Sequence, residues 1–177
     1  MKRMLTLAAV LPIALSASFV SLTASPAQAG DDRVCRGSIG ARYVDGNVIV
    51  PRGAVCALNG TRVDGDVKVY RNARLVASGV KVGGNIQAGN AKRVVVRMRD
   101  GVRSRVDGNI QLKSGTYGGI VAGARVNGDI QLFSNRGRFT VRGNVVDGNL
   151  QCKSNSPRPI GGNNRVEGNK ENQCRGL

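Results

Sequence analysis

The residues of this 177-residue chain that could do chemistry are four cysteines, several closely spaced aspartates and a run of arginines; histidine is absent. Cys35, Cys56, Cys152 and Cys174 could form disulfides or hold zinc. Zinc sites ordinarily draw on CxxC pairs or His, and this chain has neither, so disulfides are the favoured reading. Asp64 and Asp66 stand two apart, as a general acid and base could. The same two positions recur as Asp107/Asn109 and Asn127/Asp129, so no pair is singled out for catalysis. Without His, neither a Ser-His-Asp nor a Cys-His arrangement is available. The sequence therefore reads as non-enzymatic, with no cofactor and no metal. The segment "AKRVVVRMRDGVRSR", residues 91–105, sets Lys92, Arg93, Arg97, Arg99, Arg103 and Arg105 against Asp100 alone. Such a cluster fits phosphate or carboxylate polymers; a solvated basic loop is the plainer alternative.

The elements that must carry these residues are announced by repetition. "RVDGNIQL" at 105–112 has near-copies at 62, 81, 125 and 145. Aligned on the first valine, the motif falls at Val44, Val63, Val82, Val106, Val126, Val146 and Val166, in steps of 19, 19, 24, 20, 20 and 20 residues. Two places on, every copy has Gly, and the next place is always Asn or Asp. A period near twenty means a solenoid in which each repeat forms one turn. Within the motif, positions one, five and seven are apolar with polar residues between, a period of two that argues strand. Twenty residues suit two or three short strands joined by bends. The predicted fold is all-β, a single-stranded parallel β-helix of about seven coils, with crossover chirality favouring the right-handed form. The alternative takes each Asp-Gly or Asn-Gly as a two-residue hairpin turn and gives an antiparallel sandwich or barrel.

Stacked coils explain the columns. Counterparts in successive coils lie about 4.8 Å apart, so Val, Ile and Leu can stack inward as a thin core. That suits a chain with three Tyr, three Phe and no Trp. Gly is expected where the backbone bends or no side chain fits, and Asn or Asp where unusual backbone angles or hydrogen bonds along the stack are needed. Arg62, Lys81, Arg105, Arg125 and Arg165 precede the first valine; Asp45, Asp64, Asp107, Asp147 and Glu167 follow it. These outward columns are expected to pair as a solvated face. Gln87, Gln111, Gln131 and Gln151 form another outward column, expected to be an amide ladder.

Residues 1–29 read as a secretory signal peptide: Lys2 and Arg3, an apolar stretch, then Ala27-Gln28-Ala29 ahead of cleavage near Gly30. An uncleaved membrane anchor is the alternative; no second apolar segment follows. The formal net charge is +16, of which Lys2 and Arg3 supply two, so the mature chain stays strongly basic. Residues 30–177 suit one domain, with 30–43 as N-terminal cap, 44–165 as repeats and 166–177 as C-terminal cap. Exported chains with an even cysteine count usually form disulfides. Four cysteines allow three pairings. Cys35 to Cys56 and Cys152 to Cys174 each span about one coil, so pairing them that way staples each end coil to its neighbour.

At the level of V-x-G-[ND]-[IV] coils, residues 44 to 150 resemble bactofilins, cytosolic bacterial β-helix proteins that polymerise into filaments. From "CALNGTRVDGDVKV" (56–69) through "DGNLQCKSNSPRPIGGNNRVEGNKENQC" (147–174), most of the mature chain is similar to a group of small secreted β-helix repeat proteins of actinobacteria. The resemblance implies export and a repeat fold, and it carries over no activity and no binding residue. Taken together, the sequence predicts a secreted, monomeric, disulfide-capped scaffold. Anionic cell-wall polymers or acidic polysaccharide are its expected partners. Specific nucleic-acid recognition is not expected, because aromatic residues for base stacking are scarce. A carbohydrate-active β-helix enzyme is a further alternative, and the short segments between motifs leave little to wall a groove.

Overall fold

The computed structural model describes residues 31–177, so the expected signal peptide and its cleavage region lie outside the described residues. The chain winds into a β-solenoid of three parallel sheets with eight, seven and seven strands. Each coil serves the sheets in a fixed order. One opens on the third sheet with Arg105–Val106, bends through Asp107, Gly108 and Asn109, and continues on the first sheet as Ile110–Lys113. A corner leads to Gly119–Ala122 of the second sheet, and another returns the chain to Arg125–Val126 one coil higher. Register places like on like: Ile110 between Ile86 and Ile130, Gln111 between Gln87 and Gln131, Val106 between Val82 and Val126. The antiparallel alternative is thereby excluded as the architecture. Both end segments belong to the same stack, with Arg33–Val34 paired to Val48–Val50 and Leu150–Lys153 paired to Lys170–Asn172.

The core is the inner surface of the three sheets. Val48, Val67, Ile86, Ile110, Ile130 and Leu150 make one buried column. Val63, Val82, Val106, Val126 and Val146 make another. Each fully buried side chain contributes about 1.5–3 kcal/mol before its entropy cost. The second sheet adds Leu58, Leu75, Ala77, Val94, Val96, Val121, Phe139 and Val141. Phe139 is the largest of these. Its ring fits because its neighbour one coil below is Gly119, where a Cβ would collide with that ring and with the Val94 carbonyl.

The motif glycine is required by close approach and not by backbone angle. A Cβ at Gly65, Gly84, Gly108, Gly128, Gly148 or Gly168 would fall on the Oδ1 of the Asn or Asp one coil below. That oxygen accepts the backbone N–H of the residue after the glycine, in an unbroken column Asp32, Asn47, Asp66, Asn85, Asn109, Asp129, Asn149, Asn169. Of the two roles expected for these Asn and Asp residues, the structure uses hydrogen bonding alone. Left-handed backbone angles occur instead at the corners, among them Asn90, Ser114, Ser134 and Ser154.

Two further amide columns are buried at corners. Asn135 and Asn155 continue into Gln173, and Asn144 stacks under Asn164. Each buried asparagine also donates to a strand carbonyl of the coil below, Asn144 to Val121 and Asn155 to Leu132. Among the described residues no buried side-chain N or O lacks a partner. The glutamine ladder is realised only in its upper half, where Gln131 donates to Gln151 at 3.0 Å and Gln151 to Glu171 at 3.2 Å. The charged columns pair at Arg105–Asp107, 3.1 Å, and across coils at Arg125–Asp147, 3.2 Å.

Cys35 is bonded to Cys56 and Cys152 to Cys174, with Cα separations of 5.6 and 5.2 Å. The end-coil staples expected from spacing are therefore present, and the zinc alternative has lost its ligands. All four residues lie in the core.

Candidate anion-binding face

The outer surface of the second sheet carries three columns. Val55, Arg74 and Arg93 stand in register at the start of its strands. Arg138 and Arg158 follow, exposed, just ahead of the strands of higher coils. Ala57, Val76, Val95, Ile120, Thr140 and Ile160 run up the middle. Asn59, Ser78, Arg97, Ala122, Arg142 and Gly162 close the far side. An apolar stripe thus runs between arginine-bearing rails. No strand of this sheet contains Asp or Glu. Most acids sit elsewhere: Asp32, Asp45, Asp64, Asp66, Asp107, Asp129, Asp147 and Glu167 beside the bend between the third and first sheets, and Glu171 on the first sheet; Asp31 precedes the first strand, and Asp100, at the edge of the second sheet, is paired with Arg99. The ladder that stabilises the bend and the ion pairs beside it hold negative charge on one flank. The strands of the second sheet are left with Asp100 as the one neighbouring acid among the described residues.

The long repeat adds relief to this face. Where the coil below turns on Gly79 and the coil above on Gly123, both at positive φ, this coil runs through residues 98–103. The excess forms a hairpin: Arg99 and Val102 bridge in antiparallel fashion, exchanging hydrogen bonds of 2.9 and 2.7 Å. Asp100 and Gly101 at its tip have φ of 49° and 78°, the both-positive pattern of a tight two-residue turn. This Asp-Gly lies in the long repeat but outside its motif, and the motif Asp-Gly pairs lead into parallel strands instead.

The six basic residues expected to form a ridge are distributed around this coil. Arg93 and Arg97 lie at the two ends of one strand on the face itself. Arg97 and Arg99 share a hollow of about 450 Å³ with Asn59, Ser78, Met98 and Asp100. Arg99 Nε donates to Asp100 at 3.2 Å. Arg103 stretches across the sheet edge, its Nη1 donating to the Gly143 carbonyl at 3.0 Å. Lys92 lies at the opposite corner with its Nζ 4.9 Å from the Tyr117 ring centroid, and Arg105 belongs to the third sheet, paired with Asp107. Sequence reading missed Arg74, Arg138, Arg142 and Arg158. The signal for them was the confinement of acids to the motif, which leaves every segment between motifs except 91–105 without one.

A second hollow, of about 460 Å³, opens on the upper side of the hairpin. Arg97, Arg103 and Arg142 reach it, with Met98, Ala122 and Asn163 also in its wall. Arg97 is held by its Nε, which donates to Ser78 Oγ at 3.1 Å. Among the described residues no group of three or more His, Cys, Asp or Glu is placed to hold a metal ion. No protein-family model, curated protein or solved structure matches this chain.

The chemistry open to this face is binding. Guanidinium forks donate to oxyanions, and rails one coil apart repeat that offer along the solenoid axis.

Proposed function

We propose that the protein is an exported, non-catalytic scaffold that holds anionic cell-envelope polymers against the face of its second sheet. One observation carries this reading: arginines flank that sheet on both sides while its strands contain no acidic residue at all. A rigid stack presenting positive charge at a regular spacing favours an extended polyanion over a compact one. The disulfides at both ends and the leader-like first 29 residues support export. Of the pair that could serve as acid and base, Asp66 is occupied in the ladder by Asn85, as Asp129 is by Asn149, which supports a binding role.

The test is sedimentation of the mature protein with isolated envelope fractions over a salt series. Screening shortens the reach of charge from about 10 Å at 0.1 M to about 3 Å at 1 M. Binding is expected to fall steeply over that range and to weaken when Arg74, Arg93, Arg138, Arg142 and Arg158 are changed to Gln. Retention that is indifferent both to salt and to these changes overturns the proposal.

A further inference from the structure

We infer that the hollow above the 98–103 hairpin is a discrete site for a tetrahedral oxyanion, a phosphate or sulfate ester carried by the polymer, an assignment that rests on the polyanion-binding role proposed for the second sheet. Three arginines line the hollow, two from one coil and its hairpin and the third from a higher coil. Arg97 stands on one coil, and Arg142 occupies the same column two coils higher, about 10 Å along the axis. Arg103 arrives from the hairpin and is anchored to Gly143. Among the described residues Arg97 and Arg103 are each held by a single side-chain hydrogen bond, at Ser78 and Gly143. The remaining N–H groups of both forks are left for a ligand.

Among the described residues no acidic side chain lines the hollow. The nearest in sequence, Asp100, is engaged by Arg99 on the other side of the hairpin. The hairpin also shapes the site, because Met98 lies over Gly123, where a Cβ would strike its Cγ and Sδ. Gly123 therefore serves the corner twice, by its positive φ and by leaving room for Met98. A carboxylate offers two coplanar oxygens and is satisfied by one fork. A sulfate ester offers three terminal oxygens, and a phosphodiester two terminal and two ester oxygens in a tetrahedral array, so either can accept from separate guanidinium groups in different directions. Donors offered from one coil, its hairpin and a coil two higher therefore favour the tetrahedral group.

The experiment titrates the mature, disulfide-intact protein with three oligomers of equal length and charge: glycerol phosphate, a sulfated saccharide and galacturonate. Vesicles containing an anionic phospholipid form a fourth arm. Two variants carry equal charge loss, R97Q/R103Q/R142Q in the hollow and R74Q/R138Q/R158Q on the opposite rail; their melting curves establish that both are folded. The native protein is expected to bind the phosphate and sulfate oligomers at least tenfold tighter than galacturonate. The hollow variant is expected to lose that preference, and the rail variant to weaken all three oligomers by a similar, smaller factor while keeping it. Equal losses in both variants, or galacturonate bound as tightly as phosphate, overturn the site while leaving a diffuse cationic face standing. Binding to vesicles but to no oligomer overturns it in favour of a lipid surface. Failure of the native protein to bind any of the four overturns the broader reading as well.

Discussion

The backbone N–H of Asp129 donates to the Oδ1 of Asn109, 2.7 Å away and one coil below. Between them in space stands Gly128, whose missing Cβ is what lets the oxygen in. This relationship repeats up the solenoid and ties the motif glycine to the Asn or Asp beside it. The glycine makes the gap and the side chain of the neighbouring coil fills it. The bend between the third and first sheets is thereby locked from coil to coil without a disulfide or a metal.

Gly128→Ala should accordingly destabilise the protein by about 1–3 kcal/mol, since the new methyl must displace Asn109 Oδ1 and press on the Gly108 carbonyl. Gly89→Ala is the control, because a Cβ there meets nothing within 4 Å, and its effect should stay within about 0.5 kcal/mol. Urea denaturation of both variants measures the difference.

Asn144 is buried and hydrogen-bonded to three neighbours: its Oδ1 accepts from the Ala124 N–H, and its Nδ2 donates to Val121 O and Asn164 Oδ1. Asn144→Ala strands groups that water cannot reach, at about 1–3 kcal/mol for each group left unpaired. Thermal melting should place it well below Gln131→Ala, whose half-buried amide has solvent as a substitute partner.

Changing Cys35 and Cys56 together to Ser should cost about 3 kcal/mol in the chain-entropy account for a loop of this size, and the Cys152/Cys174 pair about the same. Non-reducing peptide mapping should recover those two links and no link between the ends of the stack. A Cys56–Cys152 peptide would contradict the register.

Asp32 has its pKa lowered below the ordinary 3.8, chiefly because the Asn47 side-chain and backbone N–H groups donate to its carboxylate. A lowered folded value means the fold favours the ionised form. The stabilisation is therefore complete above 3.8 and is lost as pH falls through the folded value. The Asp32 carboxyl carbon should titrate by NMR with a midpoint below 3.8, and the Asn47 amide signals should move with it. Asp32→Asn, which keeps an acceptor oxygen, should remove that titration without unpairing Asn47.

Replacing residues 98–103 by a single glycine restores the corner found in the coils below and above, at Gly79 and Gly123. The shortened protein should melt within a few degrees of the native one, because only exposed residues are removed: residues 98–103 all lie at the surface. Oligophosphate binding should fall to the level of the R97Q/R103Q/R142Q variant. A shortened protein that fails to fold would show that the hairpin supports the stack.

Much of the fold was legible because a solenoid writes its geometry as a period. Val63, Val82, Val106 and Val126 recur at the interval of one coil because each must lie on the last, and Cys35 and Cys56 declare their bond by the same interval. The buried asparagines were less visible. Asn135 and Asn155, like Asn144 and Asn164, also stand twenty apart, but only two coils share each pair, too few copies to mark a column. The basic cluster was seen as a run, yet a run along the chain is not a surface. Lys92 and Arg105 turn to different faces from Arg97, and Arg142, forty-five positions away, joins it.

The sequence by itself determined that the chain coils, how long each coil is, which residues point inward and which cysteines meet, because stacking ties each of these to one repeating interval. The confinement of most acids to the motif is written in the sequence, but tertiary structure alone decided that the segments between motifs become one sheet face bordered by arginines. It alone also showed why the motif glycine is glycine. Both depend on distances between coils, and those exist only once the columns stand beside one another in space.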